Sequence, residues 1–223
     1  MSGLHAGQPV LATGDALERA RAAMVLVHGR GASARDILML APELEAPGWA
    51  FLAPQAANGT WYPYPFMAPV ERNEPWLSSA LGVIADLLDR LGTAGIPAER
   101  TVLLGFSQGA CLTLEYAARN GRRYGGLVGL SGGVIGPDGA PRQDAGDLAG
   151  TPVFLGCSDH DPHIPAQRVR ATAELLRRLG GEVTASLYPD LDHSVNEDEL
   201  ARVRDMMGRL PAVAAPGPET DGG

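Results

Sequence analysis

The segment at residues 105–109, which reads Gly-Phe-Ser-Gln-Gly, constrains the fold of this chain more than any other. It directly follows the apolar run at 101–104 and precedes a stretch at 110–118 with the composition of a helix. A serine on a sharp strand-to-helix turn projects its hydroxyl out of a sheet, and flanking glycines permit that turn because they carry no Cβ. The segment therefore predicts that Ser107 is a nucleophile at the end of a buried strand. A plain strand-to-helix turn is the alternative.

Apolar runs alternate with segments of helical periodicity, a pattern typical of an α/β fold with a mostly parallel sheet. The predicted strands are 23–27, 50–53, 101–106, 126–130, 153–157 and 183–188, with a small extra strand within 7–21. The predicted helices are 34–44, 76–91, 108–120, 165–179 and 197–210. We expect helices on both faces of the sheet, one domain over 1–210, and a flexible tail at 211–223 that is too polar to form a core.

Composition excludes several classes of protein. The net charge of −8 argues against a surface for nucleic acid or anionic lipid. No apolar run approaches the ~20 residues of a membrane span, and residues 1–14 lack the pattern of a signal peptide. Cys111 and Cys157 both lie in predicted core segments, so we expect reduced thiols in a cytoplasmic protein rather than a disulfide.

A nucleophilic serine needs a base, and the base needs a partner that orients it. Asp161 follows the predicted strand 153–157, and His193 follows the strand 183–188. Both therefore fall at the carboxyl ends of parallel strands, the same sheet edge as Ser107. Asp159 is the alternative acid, but the proline after Asp161 rigidifies the turn there, which favours Asp161.

The remaining histidines are weaker candidates for the base. His5 lies in an N-terminal segment that we expect to be loose, and His28 closes an apolar strand as a buried imidazole that supports the next loop. His160 and His163 belong to an Asp-His-Asp-Pro-His segment at 159–163 that resembles a set of metal ligands. Alternating residues of one short loop rarely converge on one ion, so we predict no metal site.

Acyl transfer also needs two backbone N–H donors for the oxyanion. One is expected from the residue after the nucleophile, Gln108. The other is expected from the glycine-rich loop at 28–32, where we assign the amide of Arg30, with Gly29 and Gly31 as alternatives. A simple glycine-rich turn is the competing interpretation of that loop.

Taken in order, these motifs resemble the phospholipase/carboxylesterase/thioesterase group of α/β-hydrolases. The matching segments are His-Gly-Arg-Gly at 28–31, Ala-Pro-Gln at 53–55, Gly-Phe-Ser-Gln-Gly-Ala at 105–110, Leu-Ser-Gly at 130–132, Asp-Pro-His-Ile-Pro at 161–165, and Tyr-Pro at 188–189 with His193. The resemblance implies an α/β-hydrolase fold with little or no lid, and hydrolysis of small-molecule carboxylic esters or thioesters without a cofactor. Dienelactone hydrolases are also similar, but they use a cysteine where this chain has Ser107.

Two features bear on the substrate. Arg30 stands where the family often has an apolar residue, so its side chain could favour anionic esters, or else pair with Asp36 or Glu71. The loop at 54–75 is rich in aromatic residues that could wall an acyl or aryl pocket, pin the loop to the protein, or form a homodimer contact. The expected substrate-binding residues are Arg30, Trp61, Tyr62, Tyr64, Phe66, Glu71, Trp76, His163 and Ile164.

The sequence therefore predicts a serine carboxylesterase for short-chain or aryl esters, because several bulky rings suggest a confined pocket. An acyl thioesterase or lysophospholipase with the same residues is the first alternative. A non-catalytic binding protein of the same fold is a remote alternative, since no member of the Ser107, Asp161 and His193 set is missing.

Overall fold

The computed structural model describes residues 3–44 and 47–210, so the predicted tail at 211–223 lies outside the described residues. The strands are β1 (Val10–Gly14), β2 (Ala22–Val27), β3 (Trp49–Pro54), β4 (Thr101–Phe106), β5 (Gly126–Leu130), β6 (Pro152–Ser158) and β7 (Glu182–Tyr188). The helices are α1 (Ala34–Leu38), α2 (Trp76–Thr93), α3 (Gln108–Arg119), α4 (Ala166–Arg178) and α5 (Glu197–Gly208). The strands form one sheet in the order β1-β3-β2-β4-β5-β6-β7.

The sheet is parallel except at one edge, as the alternating pattern predicts. Pairing is parallel from β3 through β7, and β1 pairs antiparallel with β3. Strands β2 and β3 are buried along their whole length, because a parallel sheet is covered on both faces. The predicted small N-terminal strand is β1, which lies at the sheet edge with most of its residues exposed.

Alternate residues of the strands point to opposite faces of the sheet and pack into two apolar cores, one on each face. Helices α2, α3 and α4 pack on the face that carries Val25, Leu103 and Leu155. Helices α1 and α5 pack on the face that carries Leu26 and Leu104. The prediction of helices on both faces is therefore confirmed. None of the helices in the described part of the chain has the length and hydropathy of a membrane-spanning segment.

One predicted helix is much shorter in the structure. The helix expected over 34–44 ends at Leu38, and a separate 3-10 turn follows at Pro42–Leu44. Proline has no N–H to donate and disfavours helical geometry in the residue before it, so Pro42 interrupts the helix. The predicted span was wrong because it relied on apolar spacing and ignored this proline.

Candidate active site

Ser107 lies on the sharp turn between the end of β4 and the start of α3. The backbone of Ser107 has φ 54° and ψ −118°, and its N–H donates to the Leu130 carbonyl at 2.9 Å. A Cβ on Gly109 would overlap the Val27 carbonyl oxygen, and a Cβ on Gly105 would overlap the backbone at residue 109. Close backbone approach therefore requires both glycines, which explains the Gly-Phe-Ser-Gln-Gly pattern at residues 105–109.

Ser107, His193 and Asp161 lie together at the carboxyl ends of β4, β7 and β6. His193 Nε2 is 2.9 Å from Ser107 Oγ, and His193 Nδ1 is 2.7 Å from Asp161 Oδ2. The carboxylate accepts only, so the ring proton resides on Nδ1 and Nε2 is left to accept from the serine hydroxyl. The structure thus brings the three residues together within hydrogen-bonding distance.

The Asp161 carboxylate is buried and held at both oxygens. Oδ1 accepts from the backbone N–H of His163 at 2.8 Å and of Ile164 at 3.0 Å, and Oδ2 also lies 3.8 Å from the Cys157 thiol. Burial acts to raise the pKa of Asp161, but the hydrogen bonds from His193 and from the two amides outweigh it and lower the pKa. The group is therefore ionised at neutral pH.

The alternative acid and the metal-ligand interpretation both concern a neighbouring exposed pair. Asp159 Oδ1 lies 2.8 Å from Nδ1 of His160, whose side chain is largely exposed. The Asp161 carboxylate instead bonds to His193, so it does not converge with the pair of Asp159 and His160.

The histidines near the N-terminus have structural contacts. His28 Nε2 accepts from the Ala56 amide at 3.1 Å, which leaves the proton on Nδ1, and Nδ1 donates to the Gly29 carbonyl at 2.8 Å. This matches the supporting role predicted for His28. His5 is buried rather than loose, because its ring bridges the backbone of residues 57 and 61. Burial lowers the pKa of both histidines, so both are neutral near pH 7.

Two backbone amides near Ser107 are free to donate, one in the loop after β2 and one at the start of α3. Neither the Arg30 N–H nor the Gln108 N–H has an acceptor among the described residues. A Cβ on Gly29 would be 3.4 Å from Ser107 Cβ, so the peptide that joins residues 29 and 30 lies against the nucleophile. Since His28 binds the carbonyl of this trans peptide, the Arg30 N–H points the opposite way. The Gly31 amide donates to the Gly59 carbonyl at 2.8 Å and is thus unavailable.

A cleft of about 470 Å³ opens above Ser107. Its lining residues are Arg30, Tyr62, Pro63, Pro65, Phe66, Ser107, Gln108, Cys111, His163, Ile164 and His193. Cys111 lies one helical turn after Ser107, a spacing that could have identified it from the sequence. Burial raises the pKa of Cys111 to about 12, so its thiol is a neutral part of the wall.

The phospholipase/carboxylesterase family model matches residues 11–209 of this sequence. The chain belongs to this family. A crystal structure of a phospholipase/carboxylesterase from Dyadobacter fermentans is 41% identical, with a TM-score of 0.87 over 91% of this chain and 97% of that one. Arabidopsis thaliana SOBER1 shares the fold, with a TM-score of 0.73. It is 22% identical, and the match covers 86% of this chain and 99% of that one.

Curated relatives of the family match over a shorter range. Acyl-protein thioesterase 1 of Gibberella zeae is 35% identical over 119 residues, which are 49% of this chain and 48% of that protein. Acyl-protein thioesterase 1 of Neurospora crassa is 31% identical over 58% of this chain and 54% of its own length. The chain thus spans about half the length of the curated relatives it matches.

In this family member, two tryptophans expected at the cleft pack elsewhere. Trp61 is fully buried, and its Nε1 donates to the His28 carbonyl at 2.9 Å. Trp76 packs against the ring of His5, with centroids 5.7 Å apart. Their predicted substrate contacts were wrong, because neither tryptophan lines the cleft, whereas Tyr62 and Phe66 of the same loop do.

Two further residues predicted at the cleft lie outside it. Tyr64 is exposed and lies under the Arg72 guanidinium, whose Cζ is 4.1 Å from the ring centroid. Glu71 is exposed on a 3-10 turn that borders a different surface depression. The sequence places both in the same loop as Tyr62, but that loop has no regular period from which the direction of a side chain follows.

The Arg30 side chain makes neither of the ion pairs considered from the sequence. Asp36 instead accepts from Ser33 in the capping box of α1, and no hydrogen bond or ion pair joins Arg30 to Glu71 among the described residues. The guanidinium bonds to backbone carbonyls of residues 62–64. Pairing with an acid was therefore the wrong alternative.

Proposed function

We propose that this protein is a serine hydrolase of carboxylic esters. Ser107 is the nucleophile, His193 the general base and acid, and Asp161 the group that orients His193. The observation that carries the proposal is the unbroken hydrogen-bonded chain from carboxylate to imidazole to hydroxyl, with links of 2.7 and 2.9 Å, at the floor of a cleft. Family membership supports the same reaction class.

The reaction follows from which atoms carry protons. Ser107 Oγ bonds to the ester carbonyl carbon as its proton passes to His193 Nε2, and the carbonyl oxygen becomes an oxyanion. The amides of Arg30 and Gln108 then donate to that oxygen. The tetrahedral intermediate expels the alcohol, which takes the proton from His193. Water repeats the sequence on the acyl-enzyme, releasing the acid and restoring Ser107.

The cleft favours short-chain or aryl acyl groups. Tyr62, Phe66 and Ile164 are buried and contribute apolar surface to a space of about 470 Å³. Bulky buried side chains are costly to displace from a packed wall, so the wall limits the length of an acyl chain. A thioesterase is the second candidate, because the fungal relatives are named acyl-protein thioesterases.

A panel of p-nitrophenyl esters of increasing chain length, with matched acyl thioesters, tests the proposal. We expect the wild type to hydrolyse short esters and Ser107→Ala to lose activity by several orders of magnitude. A fluorophosphonate should add its mass to the wild-type peptide that contains Ser107 and leave Ser107→Ala unmodified. Ser194→Ala, which removes an exposed serine beside His193, is the matched control and should keep wild-type activity.

Four results would contradict the proposal in whole or in part. Activity that survives Ser107→Ala would exclude a serine mechanism, and loss of activity with a chelator would indicate a metal-dependent one. Rates that rise steadily beyond about eight acyl carbons would exclude the confined pocket. Faster turnover of thioesters than of the matched oxygen esters would favour the second candidate.

A further inference from the structure

The Arg30 side chain holds three consecutive backbone carbonyls of the cleft wall. Its Nη2 donates to the Tyr62 carbonyl at 2.9 Å and to the Tyr64 carbonyl at 3.1 Å, and its Nη1 donates to the Pro63 carbonyl at 3.0 Å. Residues 61–64 belong to no helix or strand, so their polar backbone groups need such external partners. Its guanidinium fork therefore ties three consecutive peptide groups of this segment to the loop after β2.

Gln108, the residue after the nucleophile, holds the same segment. Its side-chain Oε1 accepts from the Trp61 amide at 3.0 Å, and its Nε2 donates to the Tyr62 carbonyl at 2.8 Å. The Tyr62 carbonyl thus receives hydrogen bonds from both Arg30 and Gln108. These are the two residues whose backbone amides are the proposed oxyanion donors. Segment 61–64 therefore joins the loop after β2 to the start of α3 directly beside Ser107.

We propose that the Arg30 side chain is a positioning residue for the oxyanion hole. By holding segment 61–64 against Gln108, it fixes the distance between the two donor amides, which lie on separate loops. The inference rests on the proposed function and assigns the side chain a role distinct from that of its own backbone amide. Oxyanion donors must be held to within about 0.5 Å of their productive positions, so a loosened bridge lowers the rate of the chemical step.

The guanidinium is poorly placed to bind a substrate carboxylate. Of its five N–H bonds, both on Nη2 and one on Nη1 are committed to backbone carbonyls. Two-point binding of a carboxylate uses an Nη2 hydrogen at either edge of the fork, so neither edge is free. The preference for anionic esters considered from the sequence is thus the competing hypothesis, and it makes a different kinetic prediction.

Substitutions of Arg30 test the role because every variant keeps the backbone amide. In Arg30→Met we expect kcat to fall about 10- to 100-fold, with KM changed less than about threefold. The fall should be equal for a neutral ester and for a monoester of a dicarboxylic acid. Arg30→Lys should not restore kcat, because one ammonium cannot reach three carbonyls in a fork. Ethylguanidinium added to Arg30→Ala should recover part of kcat.

Arg35→Met is the matched control, since Arg35 is exposed on α1 and makes no side-chain hydrogen bond among the described residues. It should keep wild-type kcat. Thermal unfolding of each variant, followed by circular dichroism, establishes that kcat refers to folded protein. The rate of fluorophosphonate inactivation should fall in parallel with kcat, because phosphonylation also develops charge on an oxygen in the hole.

Unchanged kcat in folded Arg30→Met would overturn the positioning role while Ser107 labelling and ester hydrolysis by the wild type still supported the proposed function. A rise in KM confined to the acidic ester would replace positioning with substrate binding. Absence of both labelling and hydrolysis in the wild type would instead defeat the proposed function, and this inference with it.

Discussion

The Glu199 carboxyl group in α5 is buried, and its ionisation should destabilise the folded state by an amount that can be measured. Its Oε2 accepts from the Asn196 backbone at 2.9 Å as part of a capping box. Its Oε1 has no partner among the described residues and lies against Gly156, where a Cβ would overlap it. Burial raises the pKa of Glu199 to about 7. Replacement by glutamine keeps an oxygen for Asn196 and removes the charge.

The cost of ionising Glu199 follows from the shift. A rise from the ordinary value of 4.5 to about 7 corresponds to about 3 kcal/mol, at 1.36 kcal/mol per pH unit. Between these two values the folded state binds the proton more tightly than the unfolded state does. The free energy of unfolding contributed by this group is therefore complete below about pH 4.5 and is lost as the pH rises through 7.

Glu199→Gln should consequently be more stable than the wild type at pH 8 by about 3 kcal/mol and should differ little at pH 4.5. Urea unfolding followed by circular dichroism at both pH values measures the difference. Glu197→Gln is the matched control: it removes a charge from the first turn of the same helix, but its side chain is exposed, and we expect an effect below about 1 kcal/mol at both pH values. If the free energies of unfolding of Glu199→Gln and wild type differed by the same amount at both pH values, the claim that ionisation of Glu199 destabilises the folded state would be refuted.

Two further predictions concern the nucleophile and its relay. Asp161→Asn should lower kcat about 10³- to 10⁴-fold with little change in KM, because the asparagine amide group can donate toward His193 Nδ1 and stabilise the wrong tautomer; a steady-state loss below tenfold would contradict this role. Gly109→Ala should abolish soluble expression or lower the melting temperature sharply, because the new Cβ overlaps the Val27 carbonyl. Gly82→Ala, in α2 with no atom near the new Cβ, is the control and should keep or raise that temperature.

The positions of the proposed catalytic residues could be predicted because each depends on a local pattern. Ser107, Asp161 and His193 each follow an apolar strand, and the carboxyl ends of parallel strands share one edge. The sequence thus specifies the edge before any contact is known. Strand bounds were predicted to within about one residue, because each buried strand is a short run rich in apolar residues that polar residues, glycine or proline flank.

The cleft wall could not be predicted in this way. Tyr62 lines the cleft while its neighbour Trp61 is buried behind it, and no periodicity distinguishes the two. Their directions are set by partners far away in the sequence, the His28 carbonyl and the Gln108 side chain. Composition correctly indicates a loop dense in aromatic residues, but only tertiary contacts determine which of them line the cleft.

Because segment 61–64 contributes to both the cleft wall and the proposed oxyanion hole, acyl-chain specificity and kcat should change together when this segment moves. Segment 61–64 supplies wall residues to the cleft and also bridges Arg30 and Gln108. A substitution that moves this backbone therefore changes both the shape of the pocket and the spacing of the oxyanion donors. Phe66 and Ile164 line the same cleft from outside the bridge. Acyl-chain preference should accordingly be easier to alter at Phe66 or Ile164 than within segment 61–64, where any gain in space also weakens the support of the oxyanion hole.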